Sequence, residues 1–223
     1  MYPYQQPQKN KPPEKPFDLK VNGEGELMVQ PDSASVNLGV ITESKELITA
    51  QEQNSQETAK VIQALTSSGI QKNHIQTFDY RIETDYDYDQ GKQIFRGYKV
   101  THILKVIFED LNMIGKVIDQ SVKNGVNYIS NVQFTVKNKE VYYQRALVLA
   151  INNAIEKANT VAKTLHVMLN PTPVSIIESG ASFQSPFRQP ETMVKGISST
   201  QIEPGQIQVK ASILAEFHYR ATQ

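Results

Sequence analysis

The segment IQTFDYRIETDYDYD, Ile75 to Asp89, constrains the fold more than any other part of this 223-residue chain. Phe78, Tyr80, Ile82, Thr84, Tyr86 and Tyr88 share one parity, while Asp79, Arg81, Glu83, Asp85, Asp87 and Asp89 share the other. A period of two predicts a β-strand with two unlike faces, because successive side chains point to opposite sides of the pleated backbone. DQGK then offers a turn, and IFRGYKVTHILKVIF returns as a second strand. Acidic residues on the outgoing strand and Arg96, Lys99 and Lys105 on the returning one predict cross-strand ion pairs, each modest in energy. A long, two-faced hairpin is the result, and a chain that contains one must build an antiparallel sheet around it.

The same period recurs elsewhere. Ala34, Val36, Leu38 and Val40 alternate with mostly polar neighbours, and VNGEGELMVQ before them reads as a partner strand. Gly23 and Gly25 mark a bulge or a close backbone approach, and Pro31-Asp32 supplies turn chemistry, so Val21 to Val40 is expected to form a hairpin. PVSIIES is a further strand. Near the C-terminus Ile207, Val209, Ala211, Ile213, Ala215, Phe217 and Tyr219 all face one way.

Three helices separate these strands. The first is expected from about Ser44 to Ser68, with Leu47, Ala50, Val61, Ile62 and Leu65 on one face and Asn54 and Thr58 completing the stripe. The second, Asp110 to Asn124, carries Leu111, Ile114, Val117, Ile118 and Val122. Both end alike, on a small polar residue, a glycine (Gly69, Gly125), an aliphatic residue and then a strand, an echo that hints at internal duplication. The third runs from about Lys139 to Val167, before Pro171 and Pro173 enforce the exit. Its stripe is Leu147, Ala150, Ile151, Ala154, Ala158, Val161 and Leu165. Alanines also recur at 146, 150, 154, 158 and 162, a row that drifts around the helix, so Ala150, Ala154 and Ala158 are expected to meet a second partner at close range. The fold class is therefore α+β, with antiparallel sheets and long hairpins backed by three helices.

Residues 1–18, rich in Pro, Gln and Lys, have too little apolar surface to offset ordering entropy and are expected to form a disordered tail. Residues 19–223 are read as one domain. Residues 180–205 lack periodicity and contain Pro186, Pro190 and Pro204, which predicts a mobile loop. Twenty-three basic residues balance twenty-three acidic ones, which argues against nucleic acid or an anionic membrane as partner. The absence of cysteine excludes disulfides, thiolate zinc sites and cysteine nucleophiles. No stretch resembles a signal-peptide core or a membrane span, so the expected location is cytoplasmic.

Catalytic motifs are missing. Asp85, Asp87 and Asp89 have the spacing that opens a calcium loop, but the sixth position is Gln90 and the twelfth is Arg96, which would repel the ion. His74, His102, His166 and His218 fall in no HxH or HExxH arrangement. Gly23-Glu24-Gly25 is too short for a nucleotide loop and opens no helix, and the serines sit in no GxSxG context. Tyr86, Tyr88 and Tyr98 offer a stacking surface, yet without clustered Arg and Lys beside them a subunit contact fits better than single-stranded nucleic acid. The residues expected to make oligomer contacts are Tyr80, Tyr86, Tyr88, Tyr98, Ala150, Ala154 and Ala158. No catalytic, cofactor-binding or metal-ligating residue is assigned. The alternative is a small-molecule or metal-binding enzyme with a pocket under the 180–205 loop.

Taken in order, VNGEGELMVQPDSASVNLGV, ALTSSGIQKNHIQTFDYRIETDYDYDQGKQIFRGYKVTHILKV and ALVLAINNAIEKANTVAKTL closely resemble the SIMPL-domain family. Its bacterial members include periplasmic oxidative-stress defence proteins and a periplasmic immunogenic protein. The resemblance, over roughly residues 20–220, implies an α+β fold, relatives that assemble into large ring- or barrel-like oligomers, and no accepted catalytic residues to carry over. The expectation is a non-enzymatic, homo-oligomerising SIMPL-type protein with a structural or protein-interaction role, tied to stress by family association.

Overall fold

The computed structural model describes residues 17–89, 91–184 and 200–221. The expected tail up to residue 16 and the middle of the expected loop, 185–199, lie outside them. Among the described residues the order is β1 (Phe17–Val29), β2 (Ser33–Ser44), α1 (Leu47–Ser67), β3 (Ile75–Asp89), β4 (Lys92–Phe108), α2 (Ile114–Lys123), β5 (Tyr128–Ile129), β6 (Gln133–Thr135), α3 (Lys139–Thr164), β7 (Val167–Leu169), β8 (Ser175–Gln184) and β9 (Ile207–Ala221). Single 3-10 turns precede β3 and α2. The fold is α+β, as the periodicity predicts. It divides into two compact units: one holds the residues up to Leu27, Glu140–Ser182 and those from Val209 on, the other Met28–Lys139 and Phe183–Gln208.

The second of these is built on a five-stranded sheet in the order β3-β4-β2-β5, with β6 also pairing β2. β2 and β4 run antiparallel, Ala34 opposite Phe108 and Leu38 opposite Leu104. The even-numbered residues of both strands meet Val61 and Leu65 of α1 and Ile114, Val117 and Ile118 of α2 in one buried cluster. Asn54 and Thr58 do lie in the buried stripe of α1. Asn54 earns its place there: its Nδ2 donates to the carbonyls of Val40 (2.9 Å) and Val100 (3.2 Å), tying the helix to two strands.

The paired glycine endings are real and identical in hydrogen bonding. Gly69 N–H donates to Thr66 and Ile70 N–H to Leu65; Gly125 N–H donates to Val122 and Val126 N–H to Ser121. Both glycines have positive φ, 93° and 110°, where a Cβ would be strained.

The other unit has a four-stranded sheet in the order β1-β9-β7, with β8 also on β9. The ion pairs Asp18–His218, Lys20–Glu216 and Glu26–Lys210 show residue numbers falling along β9 as they rise along β1, so the two run antiparallel. Ile207, Val209, Ala211, Ile213, Ala215 and Phe217 are all buried.

The expected Val21–Val40 hairpin does not form. β1 pairs with β9 and β2 with β4. The Pro31-Asp32 corner leads the chain onward instead: Asp32 N–H donates to Thr135 O (3.2 Å), and the Asp32 carboxylate accepts from Lys137 N–H (2.8 Å). Gly23 and Gly25 mark close approach, not a turn-back, since a Cβ on them would lie 2.2 Å from Ala150 O and 2.0 Å from Ala146 O. The alanine row is the other half of that contact. Ala146, Ala150, Ala154, Ala158 and Ala162 are all buried, whereas Leu165, expected in the stripe, is exposed. A four-residue row is inclined to the helix axis and can follow a twisted sheet, which is why its drift does not carry it into solvent. Ala150, Ala154 and Ala158 are therefore interior residues, and the expectation that they contact a second copy is corrected. The helix itself stops at Thr164, His166 takes φ 53°, and the unforeseen β7 follows.

Candidate functional site

The tyrosine-bearing hairpin is the exception to this burial. Among the described residues β3 forms the free edge of its sheet and pairs on one side only, with β4, from Ile75 opposite Val106 to Asp89 opposite Lys92. Two irregularities interrupt the register, leaving Phe78 unpaired on β3 and Arg96 unpaired on β4. The second inverts the parity of β4 beyond it, so Phe95 rather than Arg96 stands opposite Tyr86. An aromatic ladder results, with ring centroids 5.2 Å apart for Tyr80–His102, 5.8 Å for Tyr86–Phe95 and 5.3 Å for Phe95–Tyr98, all edge-to-face.

This face continues the one that α1 and α2 cover nearer the centre of the sheet, where Val100 and Leu104 are buried. Along β3 the cover is gone. Phe78 is 62% exposed, Tyr88 76%, Tyr80 47% and Tyr86 40%, and Ile82 and Phe95 are exposed with them. Tyr98 is half-buried. Sequence reasoning finds the tyrosines and sets Phe78 on their parity, but it counts neither Phe78 nor Phe95 among the contact residues. The available signal was Gly97, where a Cβ would meet Ser44 O at 2.6 Å, a tight spot of the kind that accompanies an irregular strand.

The opposite face is acidic and partly self-neutralised. Arg81 pairs with Asp79 and Glu83. Unpaired in register, Arg96 reaches Asp85 (3.6 Å), Asp87 (3.9 Å) and Glu43 (3.9 Å), while Lys99 pairs with Glu43 (4.0 Å) instead of the ladder. Asp79, Asp85 and Lys99 are half-buried and the others exposed, so each pair is open to water and contributes little to stability. Among the described residues no three His, Asp or Glu side chains are grouped to hold a metal ion. His102 touches Thr77 Oγ1 (3.2 Å), and burial holds its imidazole below the ordinary value of 6.5. His218 faces Asp18 at 3.3 Å.

A cleft of about 680 Å³ lies in the unit built on β9 and is lined by Glu24, Asn153, Lys157, Ser179, Ser182 and Lys210 among others. It reaches the first residues of the expected 180–205 loop, of which 180–184 belong to β8. Its polar groups bond to one another and to the backbone: Lys210 to Glu26, Lys157 Nζ to Asn22 O, and Asn153 Oδ1 accepting from Glu24 N–H. Nearby, Tyr143 is buried and donates to Glu178; burial, and then that carboxylate, push its hydroxyl up to about 12. The end of the expected loop is fixed on α2, where Thr200 donates through N–H (3.2 Å) and Oγ1 (2.7 Å) to Asp119 and holds that carboxyl below the usual range.

A model of the SIMPL family, described as proteins of unknown function (DUF541), matches residues 19–217. The chain belongs to the SIMPL family. It is 30% identical over 164 residues to the uncharacterized protein YggE of Escherichia coli K12, a match covering 74% of this chain and 66% of that one. The chain thus spans just under two thirds of the length of that relative. It is 32% identical over 167 residues to the 26 kDa periplasmic immunogenic protein of Brucella melitensis, covering 73% and 67%. YggE of Edwardsiella ictaluri is 29% identical over 181 residues, covering 81% and 74%. Among the described residues of this SIMPL protein, no helix is long and apolar enough to cross a membrane.

Proposed function

We propose that this SIMPL protein is an assembly module without catalytic activity, whose copies associate through the free edge and aromatic face of the β3–β4 hairpin. One observation carries the reading: a fifteen-residue edge strand whose apolar residues, Phe78 to Tyr88, are exposed. An unpaired edge presents a row of backbone donors and acceptors, and an apolar face beside it adds the drive to bury surface. A large exposed patch of this kind is expected to have a partner. A structural or protein-interaction role follows, and its link to stress rests on the family resemblance alone. The cytoplasmic expectation is weakened by the Brucella relative, whose name places it in the periplasm; a chain without cysteine suits either compartment.

The test is solution mass by light scattering, on the intact chain and on a Tyr80→Ser/Tyr86→Ser/Tyr88→Ser variant. A discrete oligomer that the triple substitution dissolves is the expected result. A wild-type chain that stays at 25.1 kDa overturns the reading. The alternative, an enzyme using the Lys157–Lys210 cleft, predicts instead a small molecule that co-purifies and is lost when Lys157 and Lys210 become methionine.

A further inference from the structure

Among the described residues, two charges in the cleft of the β9 unit lack a partner of opposite sign, and their spacing indicates what would suit them. Every residue lining the cleft belongs to that one unit, so the inference does not rest on the assembly reading. Gly23-Glu24-Gly25, too short for a nucleotide loop, builds one wall. Its two glycines let α3 lie against β1, with Ala150 O and Ala146 O where their Cβ atoms would otherwise stand. Glu24 is thereby brought beside the helix. Its N–H donates to Asn153 Oδ1 (3.1 Å), and one turn further along α3 Lys157 Nζ donates to Asn22 O (2.9 Å).

These bonds fix what remains to offer. A backbone N–H can only donate, so Asn153 must turn its oxygen to the strand, which leaves its amide N–H groups as donors. Lys157 uses one of its three ammonium hydrogens and keeps two. Among the described residues no carboxylate pairs with Lys157 and no cation pairs with the Glu24 carboxylate, whereas Glu26 and Lys210 pair with each other at 3.6 Å. Ser179, Ser182 and Ser212 add hydroxyls, and Ala211 is the one apolar side chain among the described residues of the lining. Clefts for apolar molecules are walled by aliphatic and aromatic groups, so this one suits a ligand that is polar throughout.

Such a ligand must bring an anionic group to Lys157 and a cationic one to Glu24. Lys157 is held at Asn22, and Glu24 leaves the strand two residues on, so the two charges are anchored about 7 Å apart along β1. Two residues of extended chain separate an ammonium from a carboxylate by about the same 7 Å. In a free amino acid both groups sit on one carbon. We propose that the cleft binds a dipeptide in its zwitterionic form, with the carboxylate on Lys157 and Asn153, the ammonium on Glu24 and the peptide group facing the serine hydroxyls. Charge-assisted hydrogen bonds then hold each end, as they do where free chain termini are captured. No bond is made or broken, which separates this reading from the enzyme alternative.

Calorimetry with L-alanyl-L-alanine on the intact chain tests it. Binding is expected with a Kd of ~0.1 mM or tighter. N-acetylation, which removes the ammonium, or amidation, which removes the carboxylate, should each weaken it about tenfold or more. Each block should matter only while its partner is present. Lys157→Met is expected to bind the dipeptide and its amide alike, and Glu24→Gln the dipeptide and its N-acetyl form alike, while Lys157→Arg keeps the preference for a free carboxylate. Thermal melts show that the variants fold, and the blocked ligands test the wild type without any substitution. Absence of binding overturns the proposal, as does a blocked form that binds as well as the dipeptide. A Lys157→Met protein that still prefers the free carboxylate overturns it too. Alanine alone binding as tightly as the dipeptide has the same force, since the spacing of the two charges would then select nothing.

Discussion

β9 and β3 are each fifteen residues long, and both alternate apolar with polar residues along most of their length. Their fates differ. Six apolar side chains of β9, from Ile207 to Phe217, are buried, and Phe217 is 0% exposed; those of β3 from Phe78 to Tyr88 are exposed. Neighbours make the difference. β9 lies inside its sheet, between β1 on one side and β7 and β8 on the other, whereas β3 is an edge. Alternation reports that a segment is a strand and which side is apolar. It is silent on what covers that side, because the cover comes from elements distant in sequence.

Two substitutions break the comparison most sharply. Phe217→Ala removes a fully buried ring and is expected to cost about 3–5 kcal/mol in a denaturant titration, the lost transfer energy plus the cavity left behind. Tyr88→Ala, at the most exposed ring of β3, should change the stability of the isolated chain by no more than about 0.5 kcal/mol. Equal losses at the two positions would mean that the face of β3 is already covered within one chain.

The next effect concerns the close fit of β1 against α3. A methyl group on Gly25 would stand 2.0 Å from Ala146 O and 2.5 Å from Ala150 N, both backbone atoms that cannot swing aside. Gly25→Ala is therefore expected to cost about 1–3 kcal/mol through overpacking. Gly91→Ala is the control for the hairpin, since a Cβ there has nothing within 4 Å, although its φ of 81° adds a smaller backbone strain. A Gly25→Ala protein as stable as wild type would show that α3 can move away from β1 without loss.

Much of this architecture is legible in the sequence for local reasons. The period of two locates β3, β4 and β9, and the glycine endings locate the C-termini of α1 and α2, because both signals are set by a few consecutive residues. The missed features are the non-local ones. Nothing near Gly23 says that its strand will meet residues almost two hundred positions later, and local pattern alone points to the nearest strand as its partner. On a straight helix considered alone the alanine row drifts around the axis, which suggests a second partner; the sheet against which it lies supplies the matching twist. The unpaired Arg96 belongs to the same class. It inverts one strand against another, a relation that neither strand carries by itself. The candidate site was legible as aromatic and acidic faces, but its exposure was not.

The smallest effect should come from the point where cover runs out. His102 lies on β4 opposite Tyr80, between Val100 and Leu104, which are buried, and the exposed rings of β3. Burial lowers its pKa in the folded protein, so the native state favours the neutral imidazole. The unfolded chain takes up that proton first as the pH falls below about 6.5, and stability from this group, fully present above that value, is lost between it and the lower folded pKa. Denaturant titrations from pH ~7.5 to ~5.5 should therefore show the wild type losing more stability than His102→Asn, with the remaining histidines common to both. A wider gap on assembly would be informative in itself. On the assembly proposed above, a partner covering the exposed rings of β3 would also cover His102 beside Tyr80 and favour its neutral form, so acid should weaken an oligomer before it unfolds the chain, and solution mass followed across the same pH range tests that order directly. If mass and fold are lost together, or if the His102→Asn protein follows the wild-type curve, the imbalance between covered and uncovered halves of the sheet does not reach as far as His102.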